Sequence, residues 1–184
     1  MGNLIYAAIT SLDGYVNDAS GEFGWAAPDE EVHAAANALE REVGTCLYGR
    51  RMYEVMRVWE SMDLTEEPAV MREYADLWRA SDKVVYSTTL ASVGERTRLE
   101  RSWDPEVVRQ LKDTSDRPLS IGGPGLAQHA FADGLVDEVH LFLTPVVVGG
   151  GTRALPDGVR LDLDLRDEGR FAGGVVHLHY EVRR

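Results

Sequence analysis

The sequence predicts a doubly wound α/β domain, a three-layer αβα sandwich whose mixed sheet is mostly parallel with an antiparallel edge at the C-terminal end. Three observations predict it. Short apolar runs alternate with helical periodicity from residue 3 to about residue 133, the pattern of strands joined by helical crossovers. Three of these runs end at Gly49, Ser87 and Gly122, where sheets of this kind bind ligands outside the carboxyl ends of their strands. From residue 136 the helical signal stops and only strand-like runs remain, which adds antiparallel partners to one edge.

Residues 3–10 (NLIYAAIT) read as a buried first strand ending in the turn Ser11-Leu12-Asp13-Gly14. Residues 14–28, with three Gly around Phe23 and Trp25, read as a loop with aromatic anchors. Pro28 and the acids after it open a helix to about residue 43, because Pro lacks the amide that a first turn leaves unused and negative charge suits the dipole there. A strand over 45–48 precedes a helix over 50–60, marked by Met52, Val55, Met56 and Trp59, and a second helix runs over 68–80. A strand over 83–87, a polar stretch, a helix over 105–112 and a strand over 119–121 follow. Gly122-Gly123-Pro124-Gly125 then leads into a helix ending near Gly134. The last third predicts one long apolar strand over 136–148 and alternating strands over 161–167 and 175–182.

The whole chain, residues 1–184, is expected to form one domain, since a single core suffices at this length and no linker or repeat interrupts the pattern. A net charge of −12 repels phosphate backbones and anionic membrane surfaces, so nucleic-acid and membrane partners are not expected. Any anionic ligand must be held by a local cluster of donors. The lone Cys46 excludes an internal disulfide, no segment has the length of a membrane span, and a cytoplasmic protein is expected.

The chemistry-bearing positions gather at the strand ends. The amides of Gly122-Gly123-Pro124-Gly125 can approach a diphosphate closely, although the spacing is not the dinucleotide-binding G-x-G-x-x-G and a plain tight turn would also use Gly. Gly49-Arg50-Arg51 sets two guanidinium groups at another helix start, where they can fork onto a phosphate or simply pair with neighbouring Glu. Ser87 and Thr88 offer hydroxyls to a ribose or serve only their turn. Asp13 and Asp29 flank the aromatic loop as candidate catalytic carboxylates if burial raises their pKa, or as a turn cap and a helix N-cap. Trp25 is a candidate substrate contact as well as a loop anchor. His177 and His179 share one strand face with His140 on a possible neighbour, but no acidic or Cys ligand stands at a recognisable spacing, so no metal site is expected. Hydrolase and kinase motifs are absent.

Taken in order, Ser11-Leu12-Asp13-Gly14-Tyr15, Leu47-Tyr48-Gly49-Arg50-Arg51-Met52-Tyr53-Glu54, Val85-Tyr86-Ser87-Thr88-Thr89-Leu90, Gly122-Gly123-Pro124-Gly125-Leu126-Ala127 and Gly134-Leu135-Val136-Asp137-Glu138 form a set, closed by Pro145 and Gly149-Gly150-Gly151. This set resembles the C-terminal reductase domain of the riboflavin-biosynthesis deaminase-reductases, a branch of the dihydrofolate reductase fold. The resemblance implies an NADPH-dependent reductase acting on a small carbonyl, imine, pterin-like or pyrimidine-like compound, usually as a homodimer. It also implies that Gly49, Arg50, Arg51 and Met52 bind the adenosine phosphate end, with Ser87 and Thr88 beside the adenosine. Ile121, Gly122, Gly123, Pro124, Gly125 and Leu126 would cradle the diphosphate, and the backbone at Ala8 would lie by the nicotinamide. Asp13 and the loop to Trp25 resemble a mobile loop over the active site, and Asp29 stands where dihydrofolate reductases carry their acid. The alternatives are a noncatalytic dimeric nucleotide-binding protein and a reductase using flavin or deazaflavin.

Overall fold

The computed structural model describes residues 2–183. β1 (Leu4–Ser11) begins the chain with Leu4 and Tyr6 fully buried. The expected loop after it contains β2 (Tyr15–Asn17) and a 3₁₀ turn at Gly24–Ala26. α1 (Glu30–Glu42) starts at Asp29, whose carboxylate accepts the Val32 amide at 2.9 Å, with Glu30 and Glu31 in the first turn. β3 (Thr45–Gly49) follows, and the single helix expected over 50–60 comes as two, α2 (Arg50–Met56) and α3 (Val58–Ser61). The break at Arg57 lets Trp59 pack tilted on Tyr74, ring centres 5.1 Å apart, with His33 edge-on to both.

α4 (Ala69–Ala80) and β4 (Asp82–Tyr86) lie where the periodicity puts them. β5 (Thr97–Glu100) lies inside the polar stretch that predicts no strand; it is an edge strand with charged side chains in water, so it carries no apolar alternation. α5 (Pro105–Thr114), β6 (Leu119–Gly122) and α6 (Pro124–Ala132) complete the alternating part. β7 (Glu138–Thr144) is shorter than the strand expected over 136–148, because Pro145 has no amide to continue the ladder and Leu135 and Val136 pack into the core instead. Beyond it come β8 (Thr152–Arg153), β9 (Leu163–Arg170) and β10 (Val176–Val182).

The main sheet has the order β5-β4-β3-β6-β1-β7-β10-β9, and β2 and β8 form a separate ribbon. Every neighbouring pair from β5 to β7 is parallel, and β10 pairs antiparallel with both β7 and β9, so the mostly parallel sheet and its antiparallel C-terminal edge are as expected. One face packs Leu4, Tyr6, Leu47 and Ile121 against Val108 of α5 and Leu126, Ala130 and Phe131 of α6. The other packs Cys46, Tyr48 and Val85 against Tyr53 and Met56 of α2 and Trp78 of α4, and Phe142 against Val32 of α1. These are the three layers of the sandwich. Between α5 and the sheet, Lys112 is buried and reaches Asp137 at 2.5 Å and the Leu135 carbonyl at 2.7 Å, while Asp137 also accepts the Leu4 amide at 2.7 Å.

Candidate functional site

β3 and β6 are parallel neighbours with Tyr48 opposite Gly122, yet β3 leads into α2 on one face and β6 into α6 on the other. The chains diverge there, which opens a crevice at the carboxyl ends of the strands. Its walls approach so closely that side chains are excluded. A Cβ on Gly122 would stand 2.7 Å from the Tyr48 ring, and one on Gly123 would stand 3.0 Å from Met52 Cβ. Gly123 also holds φ +85°, a left-handed conformation that favours Gly. Gly49 faces Leu126, so Gly49, Met52, Gly122, Gly123 and Leu126 form one contiguous surface. No side chain caps α6, and Pro124 fills its first position, which leaves the amides of Gly125 and Leu126 for water or an anion. Ile121 is buried beneath and supports this turn.

Arg50 is exposed and fixed on both sides, by Glu54 at 2.9 Å and by the Thr89 hydroxyl at 2.9 Å. Arg51 is exposed on the same helix start. The Ser87 hydroxyl accepts the amides of Thr89 and Leu90 at 3.2 and 3.1 Å, so it shapes the turn that presents Thr88 to solvent.

At the end of β1 the Asp13 carboxylate accepts the amides of Val148 and Gly149 at 3.1 and 2.7 Å. The Ser11 hydroxyl and these two amides hold its carboxyl below the ordinary carboxylate range, the opposite direction from that needed in a proton donor. Gly151 seals the same corner, since a Cβ there would lie 1.9 Å from the Asn17 carbonyl oxygen. Trp25 is half-buried, with its indole N–H donating to the Glu22 carbonyl at 3.2 Å. Ala8 pairs with Leu141 and faces the α6 side, where Thr10, Gly14, Leu141, Leu143, Arg153, Ala154 and Leu155 line a cavity of about 150 Å³. The buried Thr10 hydroxyl there has no hydrogen-bond partner. Asp29 is on the opposite face, exposed and occupied as the α1 cap. The structure therefore groups Gly49–Met52 with residues 121–126, joins Asp13 to the β2–β8 corner, and leaves Asp29 apart from both.

One cluster escapes a reading of the sequence and another is legible there only in part. Glu40 of α1 lies half-buried among Cys46, Tyr48 and Tyr74, and burial pushes its carboxyl up to about 7. The other corrects the expectation that no acidic ligand accompanies the histidines: Glu138 stands beside His140 and His179. The His140 imidazole, above all, holds the Glu138 carboxyl down at about 2. Sequence alone shows the E-x-H spacing on β7 but not the strand register that brings His179 opposite it.

A model of the RibD C-terminal domain matches residues 3–176. The chain belongs to the RibD C-terminal domain family. It is 27% identical over 180 residues to the uncharacterized protein YyaP of Bacillus subtilis strain 168, covering 96% of this chain and 93% of YyaP. Its fold is similar to that of a putative riboflavin biosynthesis protein from Shewanella sp. PV-4, with a TM-score of 0.77, 20% identity and all of both chains covered. It is also similar to dihydrofolate reductase from Enterococcus faecalis in complex with NADP(H) and RAB-propyl, with a TM-score of 0.65, 13% identity, and 100% of this chain and 98% of that one covered. The likeness to these solved structures is one of fold. No helix of the described residues is long and apolar enough to cross a membrane.

Proposed function

We propose that this RibD C-terminal domain protein is an NADPH-dependent reductase that transfers hydride to a small carbonyl, imine, or pterin-like or pyrimidine-like compound. The observation that carries the reading is the glycine-lined strand-end surface at Gly49, Gly122 and Gly123, rimmed by Arg50 and Arg51 in a chain of net charge −12. Such a surface recognises a diphosphate through backbone amides, and the guanidinium groups favour the extra phosphate of NADPH over NADH. Arg50 is held in place by Glu54 and Thr89, and Arg51 stands exposed beside it as the second cation. Ser87 and Thr88 border the adenosine, and the nicotinamide lies along β1 at Ala8 under the loop carrying Trp25.

In this reading the cofactor supplies the hydride, and the protein supplies orientation and a dry pocket. Asp13 fastens the loop to residues 148–149 in its ionised state, Asp29 caps α1, and the proton comes from solvent. A cytoplasmic homodimer is part of the proposal.

The test is a titration of the purified protein with NADPH and NADH side by side, followed by nicotinamide fluorescence, for the wild type and for Arg50→Ala and Arg51→Ala. Micromolar NADPH binding is expected, weakened about 10-fold in Arg51→Ala with NADH binding unchanged, a difference of about 1.4 kcal/mol. Absence of saturable binding of either nucleotide would sink the NADPH assignment.

A further inference from the structure

Away from the crevice, toward the amino-terminal ends of the parallel strands, the α1 side of the sheet carries a polar cluster that the proposed reduction does not use. Glu138 and His140 are two apart on β7 and so share a face, and His179 of β10 is the direct cross-strand partner of His140. His179 Nε2 is 3.0 Å from Glu138 Oε2, His140 Nε2 is 3.6 Å from the same oxygen, and one ligand atom from each of the three residues lies within 4.8 Å of the other two. A tetrahedral zinc ion, with bonds of about 2.0–2.1 Å, sets its ligand atoms about 3.3 Å apart, close to these separations.

The atoms not facing one another are already occupied. Glu138 Oε1 accepts from the Asn3 side-chain amide at 2.6 Å, which turns Oε2 toward the two imidazoles. His140 Nδ1 meets His177 Nε2 at 3.1 Å, and His177 is braced by stacking on Phe142. This is the outer arrangement that ligating carboxylates and imidazoles ordinarily have. His140 is 6% exposed, and its Nε2 is buried with no hydrogen-bond partner. That nitrogen and the Glu138 carboxylate oxygen 3.6 Å away face the same space, where a cation would draw on both.

We propose that Glu138, His140 and His179 form a binding site for a divalent transition-metal ion of the zinc type, which ties β7 to β10. Two imidazoles and one carboxylate suit that class of ion better than magnesium or calcium. The His140 and His179 rings stack with centres 4.0 Å apart and planes 17° apart, so their nitrogen lone pairs lie in nearly parallel planes and do not converge on one ion. Coordination therefore turns His179 out of the stack, and its side chain, 24% exposed, has room to turn.

The test uses tag-free, chelator-stripped full-length protein titrated with zinc chloride by calorimetry. One zinc per chain is expected, with an affinity in the micromolar range or tighter. His179→Ala and Glu138→Gln should each weaken it more than 10-fold, and Asn3→Ala about 10-fold through the lost support of Glu138. His179 is the partly exposed ligand, so its variant should fold as the wild type does. Zinc should raise the melting temperature of the wild type and leave that of His179→Ala unmoved. No binding below millimolar zinc, or binding undiminished in both His179→Ala and Glu138→Gln, would overturn the site.

Discussion

The two polar regions of this molecule are built from different materials. The crevice at Gly49 and Gly122–Leu126 presents glycine backbone packed on the Tyr48 and Met52 side chains, with no room for a Cβ on Gly122, which would stand 2.7 Å from Tyr48. The cluster at the other end is made of side chains alone, Glu138, His140 and His179, brought together by the pairing of β7 with β10. A backbone site recognises the charge and shape of an extended anion, whereas a side-chain site selects by ligand chemistry. One fold carries both because its parallel part ends in diverging helices and its antiparallel part ends in a flat, half-covered face.

The seam between the two regions is the most sensitive place to cut. Lys112→Met would remove the buried ammonium that pairs with the mostly buried Asp137 carboxylate, which also accepts the amide of the first residue of β1. It should cost about 3–5 kcal/mol in urea unfolding, and it would affect both regions together. Gly122→Ala should act on one region only. Its Cβ would press on the Tyr48 ring, costing about 1–3 kcal/mol and lowering nucleotide affinity, while zinc binding at β7 and β10 stays as in the wild type.

Smaller effects sharpen the same contrast. The Glu40 carboxyl titrates at about 7 in the native state against 4.5 when unperturbed, so the native state holds the extra proton between these values. Its contribution to stability is complete below pH 4.5 and is lost as pH rises through 7. Because Glu40 keeps some contact with solvent, the loss should be roughly 1–2 kcal/mol, and Glu40→Gln should abolish that slope in pH-dependent denaturation. Asp29→Ala should cost about 1 kcal/mol by uncapping α1 while leaving turnover intact; a large loss of turnover with unchanged stability would restore Asp29 as the acid.

The contrast also explains what the sequence discloses. Alternating apolar runs gave the layers and most of the parallel strands, and Gly at strand ends marked the crevice, because both are local signals of one or two turns. β2, β5 and β8 stayed hidden because short exposed strands need no apolar alternation. The 136–148 run was overextended because apolar composition does not distinguish a strand from the buried Leu135 and Val136 beside it. Asp13 and Asp29 read equally as acids or caps until their amide partners were seen. The histidine cluster depends on register between strands some 40 residues apart, which no local pattern encodes.

The central claim is that the backbone crevice is where the nucleotide binds, and amide hydrogen exchange with and without NADPH tests it most directly. The account predicts added protection at residues 48–53 and 121–127, and none at residues 176–180. Protection confined to the antiparallel edge, or no change anywhere at saturating NADPH, would contradict it.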